Sequence, residues 1–242
     1  MNVLYNLGNL GWRVKEILPV GMKNSLLDCF FKYAPIWLIR ALWEDIDGYF
    51  VIKTPSPGDV LVDAGAWTGH VTIVTSRMVG PKGTVVAIEP QKEMSERLRQ
   101  RLDHLGINNV IVVNAALFDK QCNMAVSKNP TSGFTVLEQA DSFGASETIS
   151  LRTLDDIVAS LGLKQLNFIK MDIEGAELEA LKGAESTIKS MRPFCAIASY
   201  HMREGADTSR RVEEILKTNN YSARTGHPRH LTTWGWYGNE TA

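Results

Sequence analysis

The run of ten residues Phe168-Ile169-Lys170-Met171-Asp172-Ile173-Glu174-Gly175-Ala176-Glu177 constrains this chain more than any other. Apolar residues surround Lys170 and lead up to Asp172, which reads as a buried strand ending in a carboxylate. Gly175 permits a tight turn, and Leu178, Leu181, Ile188 and Met191 then recur at helical spacing. Strand, acidic turn and helix are the repeating unit of an α/β fold. In open α/β sheets, ligands bind just outside the carboxyl ends of the strands, which is where Asp172 stands. A carboxylate ending so apolar a strand needs a partner, and a ligand can supply one. Glu174 and Glu177 fall near a helix N-terminus, where acids are electrostatically favoured, so helix capping accounts for Glu177 without any ligand.

The 242 residues accommodate one α/β domain with an appendage, or a single large domain. A hydrophobic fraction of 44% supplies a substantial core, and a net charge of −1 provides no global field to recruit nucleic acid or an acidic membrane. Cys29, Cys122 and Cys195 are odd in number and widely spaced, which suits reduced thiols in a cytoplasmic protein. The start of the chain lacks the pattern of a signal peptide. The apolar stretch 26–43 is interrupted by Asp28, Lys32, Pro35 and Arg40, which argues against a transmembrane segment.

Residues 1–50 are rich in Leu, Trp, Phe and Tyr and read as a helical extension, with breaks at Pro19-Val20-Gly21 and Pro35. Such an extension packs on the core, forms a subunit interface in a homo-oligomer, or covers a substrate. Pro55-Ser56-Pro57-Gly58 marks the turn into the main domain, residues 51–242. There Asp59-Val60-Leu61-Val62-Asp63 is a strand that runs into Ala64-Gly65-Ala66-Trp67-Thr68-Gly69, and Val71, Ile73, Val74 and Met78 mark the helix after it. Gly65 and Gly69 would let a ligand approach the backbone closely. A dinucleotide sets an anionic pyrophosphate on such a turn, and Asp63 would repel it. S-adenosylmethionine has no phosphate and presents a cationic sulfonium and amino group, which Asp63 suits. The bland account of Asp63 is a helix cap.

Thr84 to Ile88 is a second strand, ending at Glu89-Pro90. Glu89 lies 26 positions after Asp63, near the spacing at which an acid accepts from ribose hydroxyls. Val110 to Val113 is a third strand, followed by Asn114-Ala115-Ala116, whose small side chains leave room for a flat base or simply pack closely. Met124 to Val126 and Glu147 to Leu151 read as strands around a long polar stretch, 127–144, centred on Ser132-Gly133-Phe134; loops of that length are often functional. Thr153 caps a short helix. Pro193 to Tyr200 is a further strand delivering Ser199, Tyr200 and His201 to the ligand edge, where His201 is either catalytic or structural. Asp207 to Asn219 is an amphipathic helix, and Tyr221–Thr225 and Leu231–Tyr237 form a hairpin. His227 and His230 joining His201 on a metal is a weak alternative, since no ligand-spacing motif supports it.

Taken together, Val62-Asp63-Ala64-Gly65-Ala66 and Ile169 to Glu177 resemble the FkbM family of S-adenosylmethionine-dependent methyltransferases. Glu89-Pro90, Asn114-Ala115-Ala116, Thr153-Leu154-Asp155 and Leu181-Lys182-Gly183-Ala184 resemble family positions in the family's order. The resemblance covers roughly residues 58–201. Ser199-Tyr200-His201 matches a subset of members, whereas many carry an acid where this chain has Ser199. The resemblance implies a class I, Rossmann-like, seven-stranded mixed sheet whose last two strands form an antiparallel hairpin. It also implies methyl transfer to a hydroxyl of a sugar, glycoconjugate or secondary metabolite.

On this reading S-adenosyl-L-methionine is the cofactor. Asp63, Gly65, Trp67, Thr68 and Gly69 hold its methionine end, and Glu89 and Pro90 its ribose. Asn114, Ala115 and Ala116 lie beside the base, with Asp172 completing the set. His201 and Asp172 are the candidate bases and Glu174 a positioning acid; His201 is attractive because an unperturbed imidazole has a pKa of ~6.5. No metal is assigned. The alternatives are a divalent metal on Asp172, Glu174 and His201 that acidifies the acceptor, or a non-catalytic domain that kept the fold. The expected partner is a small-molecule or glycan acceptor and not nucleic acid.

Overall fold

The computed structural model describes residues 20–127, 146–226 and 230–238. In chain order the described elements begin with three helices, α1 (Val20–Tyr33), α2 (Ile36–Leu42) and α3 (Glu44–Tyr49). The alternating core follows: β1 (Val60–Ala64), α4 (His70–Val79), β2 (Thr84–Ile88), α5 (Lys92–His104) and β3 (Val110–Val113). A small sheet is then formed by β4 (Ala116–Leu117), β5 (Cys122–Ser127) and β6 (Ser146–Arg152). After it come α6 (Leu154–Ser160), β7 (Phe168–Met171), α7 (Glu177–Lys182), α8 (Glu185–Met191) and β8 (Phe194–Ala198). The two-residue strands β9 (Met202–Arg203) and β10 (Ala206–Asp207) precede α9 (Ser209–Thr218) and the hairpin β11 (Tyr221–Gly226) and β12 (Thr232–Tyr237).

The main sheet has seven strands in the order β11-β12-β8-β7-β1-β2-β3. The five strands from β8 to β3 are parallel, and β12 runs antiparallel between β8 and β11. This is the expected mixed sheet with its terminal hairpin. Parallel strands covered on both faces need near-continuous apolar runs, and Val60–Ala64, Thr84–Ile88 and Phe194–Ala198 supply them. One face is covered by α6, α7, α8 and α9, whose Leu154, Ile157, Leu178, Leu181, Ile188 and Val212 share a cluster with Val62, Ile169 and Ile197. The other face is covered by α4, α5 and the N-terminal helices.

Of the three readings of the extension, its described part adopts core packing. Phe31 and Ile39 are fully buried and join the cluster of Leu61, Ile73 and Phe168. Arg77 on α4 donates to the carbonyls of Phe31 and Ala34 at 2.6 and 2.7 Å, and Arg101 on α5 donates to Asp28 at 2.6 Å. The two Arg77 bonds satisfy carbonyls at and just past the C-terminal end of α1, where helix carbonyls lack an intrahelical partner, and the Arg101 bond is an ion pair. No helix among the described residues is long and apolar enough to cross a membrane.

The single helix expected from Leu178 to Met191 is two. Gly183 ends the first helix with its amide still bonded to the Glu179 carbonyl, and a side chain there would meet the Phe118 carbonyl oxygen at 2.1 Å, so the close approach requires glycine at this join. Asp155 on α6 then caps α8, accepting from the Ser186 and Thr187 amides at 3.0 and 2.7 Å. Helix α9 starts two residues later than expected, because Asp207 pairs in β10 and accepts from the Ser209 amide. Thr153 caps α6 as its sequence indicates, taking the Asp156 amide at 3.0 Å. Ser132-Gly133-Phe134 and His227 lie outside the described residues.

If the extension belongs to the core, Phe31→Ala should cost about 3–5 kcal/mol. Urea unfolding followed by tryptophan fluorescence and by circular dichroism should give one shared transition. An earlier, separate transition for the variant would show the extension to be an independent unit.

Candidate active site

All five parallel strands end on one edge of the sheet, so Gly65, Glu89, Asn114, Asp172 and Ser199 to His201 follow their carboxyl ends together. Asp63, one residue inside that edge, is in register with Lys170 on β7. Both side chains are buried, and Lys170 Nζ lies 2.9 Å from Asp63 Oδ1. The Thr72 hydroxyl donates to Asp63 Oδ2 at 2.6 Å. The ammonium also donates to the carbonyls of Ala64 and Gly65, at 3.1 and 2.9 Å, and lies 5.4 Å from the Tyr49 ring centroid. Asp63 therefore has no exposed surface, and its charge is balanced inside the protein. It does not cap α4, whose N-cap is Gly69.

The two glycines of the β1 loop serve internal packing as well as any ligand. A Cβ at Gly65 would sit 1.7 Å from the Asp172 carbonyl oxygen, and one at Gly69 would sit 2.3 Å from Leu98 Cδ1. Both have φ in the left-handed region, +75° and +84°. Between them Trp67 is half-exposed with a φ of +48°, an uncommon conformation for a side chain of that size. The Thr68 carbonyl accepts from Arg101, and the Thr68 hydroxyl lies 2.9 Å from His70 Nδ1.

Glu89 is almost fully buried. Its two carboxylate oxygens accept from the amides of Trp67 at 2.9 Å and Gln91 at 3.0 Å. Burial raises its pKa, and those two bonds work against the rise. Asn114 is exposed and donates to the carbonyls of Glu89 and Pro90, which ties β3 to the end of β2. Ala115 and Ala116 are buried, and Ala116 packs against Ile149 and Leu151, which favours the close-packing account of these small residues.

Across the edge, Asp172 accepts from the Tyr49 hydroxyl at 2.7 Å and from the Tyr200 hydroxyl at 3.1 and 3.2 Å. The phenols of Tyr49 and Tyr200 are both raised above 10.0, first by burial and then by the Asp172 charge, so both remain donors. Glu174 sits in the left-handed region at φ +56° and is exposed. Glu177 is fully buried and accepts from the amides of Ile173 and Gly175 at 3.1 and 3.3 Å, closing the turn that precedes α7. His201 lies among all three acids. Its Nδ1 is 3.0 Å from Glu177 Oε1, and its Nε2 is 3.6 Å from both Asp172 Oδ1 and Glu174 Oε2.

Burial alone would lower the His201 pKa, but Glu174, Glu177 and Asp172 together outweigh it and hold the pKa up at about 10. With its pKa held at about 10, the ring favours the imidazolium at pH 7, where an unperturbed imidazole of ~6.5 was expected. Sequence reasoning missed Tyr49, the bond from Tyr200 to Asp172 and the Glu177–His201 contact. Lys170 gave a usable signal, since a lysine inside an apolar strand requires a buried partner. Tyr49 gave none, because it reaches Asp172 across 123 residues of sequence. His230 also reaches this edge, its ring 5.1 and 5.5 Å from those of Tyr49 and Tyr200. Ser199 is buried, shares a 2.8 Å hydrogen bond with Thr233, and ties β8 to β12.

Comparison with known proteins places this arrangement. The family model described as the methyltransferase FkbM domain matches residues 63–223. Among curated relatives, the hexuronic acid methyltransferase AglP of Haloferax volcanii is 27% identical over 157 residues, covering 64% of this chain and 63% of that protein. A protein-L-isoaspartate O-methyltransferase of Ignicoccus hospitalis is 43% identical over 56 residues, covering 23% of this chain and 26% of that protein. The matched part of the chain thus spans less than two thirds of either relative. Among solved structures, a methyltransferase FkbM from Methylobacillus flagellatus superposes with a TM-score of 0.57 at 21% identity, covering 88% of this chain and 59% of that one. Aeropyrum pernix fibrillarin, solved with S-adenosyl-L-methionine bound, superposes with a TM-score of 0.52 at 11% identity, covering 79% and 74%. The fold is that of the class I methyltransferases.

Removing one partner of a buried ion pair leaves the other charge uncompensated, so Asp63→Ala should destabilise the protein by about 3–5 kcal/mol. The double variant Asp63→Ala/Lys170→Met should recover much of that loss in denaturant titration; equal losses would mean the two groups do not act as a unit. For His201, ring-proton NMR should show a midpoint near 10 rather than 6.5. Because its pKa is higher folded than unfolded, its stabilising contribution is complete below about 6.5 and is lost as pH rises through about 10. A midpoint below 7 would mean the acids do not surround the ring in solution.

Proposed function

We propose that this chain, which belongs to the FkbM methyltransferase family, transfers a methyl group from S-adenosylmethionine to a hydroxyl of a sugar or glycoconjugate. The observation that carries the reading is the convergence on one sheet edge of the acids Glu89 and Asp172 with the cluster of Glu174, Glu177 and His201. The hexuronic acid named for AglP supports a sugar acceptor.

The donor set fits the cofactor. Glu89 uses two backbone amides to fix its carboxylate, which retains lone pairs for two ribose hydroxyls. The half-exposed Trp67 offers a flat surface beside it. The Lys170 charge is matched by Asp63, so Glu89, Asp172 and Glu174 leave this mouth negative. A sulfonium suits such a mouth and a pyrophosphate does not. Asp63 contributes by holding the loop and Lys170 in place. Bound there, S-adenosylmethionine would supply a methyl group already activated for displacement.

The chain's own residues orient the acceptor and take its proton. Asp172 is held by two phenols, which fixes its direction. His201, charged and 3.0 Å from Glu177, presents Nε2 3.6 Å from both Asp172 and Glu174, where it would donate to an acceptor oxygen between them. Glu174 is the exposed carboxylate of the cluster and the group placed to accept the hydroxyl proton. His201 then serves as an electrostatic and orienting group.

Calorimetric titration with S-adenosylhomocysteine should give micromolar binding, and NAD should give none. His201→Ala and Glu174→Gln should each lower turnover by roughly 10²–10⁴-fold, with S-adenosylhomocysteine affinity intact. Failure to bind S-adenosylhomocysteine would overturn the cofactor assignment. Full turnover in both variants would remove the cluster from the chemistry.

A further inference from the structure

Glu177 carries more than a turn requires. Its Oε1 accepts from two backbone amides and faces His201 Nδ1, while its Oε2 is sealed from solvent and has no hydrogen-bond donor. A buried carboxylate oxygen left bare is costly, and native structures almost always complete such an atom. His201 Nδ1 lies 3.0 Å from Oε1, yet neither ring nitrogen of His201 makes a hydrogen bond, so both side chains have polar atoms to complete.

A carboxylate oxygen of Asp172, one of Glu177 and a ring nitrogen of His201 all lie within 4.8 Å of one another. We propose that these three residues bind one divalent cation of the manganese–magnesium class, on the sheet edge where the methyl-transfer reading puts the acceptor. Metal–oxygen bonds of ~2.1 Å place adjacent octahedral ligands ~3 Å apart and opposite ones ~4.2 Å apart, so a small contraction of the triad suffices. Two carboxylates balance the charge of such an ion, and an oxygen-rich set with one imidazole suits it once His201 releases its ring proton to solvent, so that the cation replaces the imidazolium charge among these acids. The ligands are already held: Glu177 by the amides of Ile173 and Gly175, Asp172 by the phenols of Tyr49 and Tyr200. The set differs from the one expected from sequence by Glu177 in place of Glu174, which stays at the rim. Three protein ligands leave positions open for water or for an acceptor hydroxyl, whose O–H the ion would acidify. Only the role of the ion rests on the methyl-transfer reading; its binding does not.

The test uses the full chain, stripped with EDTA and titrated with Mn²⁺ while free Mn²⁺ is followed by electron paramagnetic resonance. One ion per chain should bind. Asp172→Asn and Glu177→Gln should each weaken binding tenfold or more, and Glu185→Gln, an exposed acid of α8 paired with Lys189, should leave it unchanged. Circular dichroism checks that each variant folds. If neither site variant folds, the wild-type protein still decides, because Mn²⁺ must broaden the His201 ring signals in NMR. No binding, binding unaffected in folded site variants, or unbroadened His201 signals would each overturn the proposal. S-adenosylhomocysteine titrated into the same sample separates the two readings. Binding of the nucleoside without Mn²⁺ removes the metal alone, and Mn²⁺ without the nucleoside removes the cofactor assignment alone.

Discussion

Lys170 brings a positive charge into the middle of a parallel sheet, and the loop after β1 is arranged around it. Its ammonium contacts Asp63 and the carbonyls of Ala64 and Gly65, so one residue of β7 fixes three consecutive residues of β1 and its loop. The backbone completes the join: the Asp172 amide donates to the Ala64 carbonyl at 3.0 Å, and Gly65 lies so close to the Asp172 carbonyl that no side chain fits. On the other side, the amides of Gly65 and Ala66 donate to the Ile88 carbonyl. The loop is thereby clamped between β2 and β7. The direction of Trp67, and through its amide the position of Glu89, follows from that clamp.

The same pairing sets the electrostatics of the edge. With Lys170 and Asp63 neutralising each other below the surface, the acids above them act unopposed except by His201. Three carboxylates around one imidazole raise its pKa far enough to hold a proton that burial alone would expel. Two phenols supply Asp172 with donors that cannot leave as protons near neutral pH. The result is a fixed, negative and partly dry surface, in which a cation is worth more than it would be in water.

Much of this was legible in the sequence, for identifiable reasons. Apolar runs ending in Asp63, Glu89 and Asp172 marked strand ends, since a parallel sheet forces both the apolar pattern and the shared edge. The αβ alternation gave the shared edge and the last two apolar runs the hairpin, while the seven-stranded topology came from the family resemblance. What failed to show were contacts set by tertiary approach. The join between α7 and α8 falls at Gly183 and Ala184, within an apolar spacing that continues through it, and the need for glycine there comes from the Phe118 carbonyl 65 residues earlier. Gly65 and Gly69 read as room for a ligand, and they are also room for Asp172 and Leu98. His201 was placed correctly at the edge, but its charge depends on how three acids converge, and periodicity does not encode that.

The Tyr49–Asp172 bond has a consequence for how the chain folds. It joins residues 123 positions apart and closes a loop that contains β1, β2, β3 and the small sheet, so loop-closure entropy opposes its early formation. Tyr200 must arrive from the other direction, after β8 has been added to the sheet. Asp172 is therefore free of its phenols until both ends of the chain have docked. Alignment of the acid cluster is thereby tied to the docking of both segments, so it reports on completion of the native state.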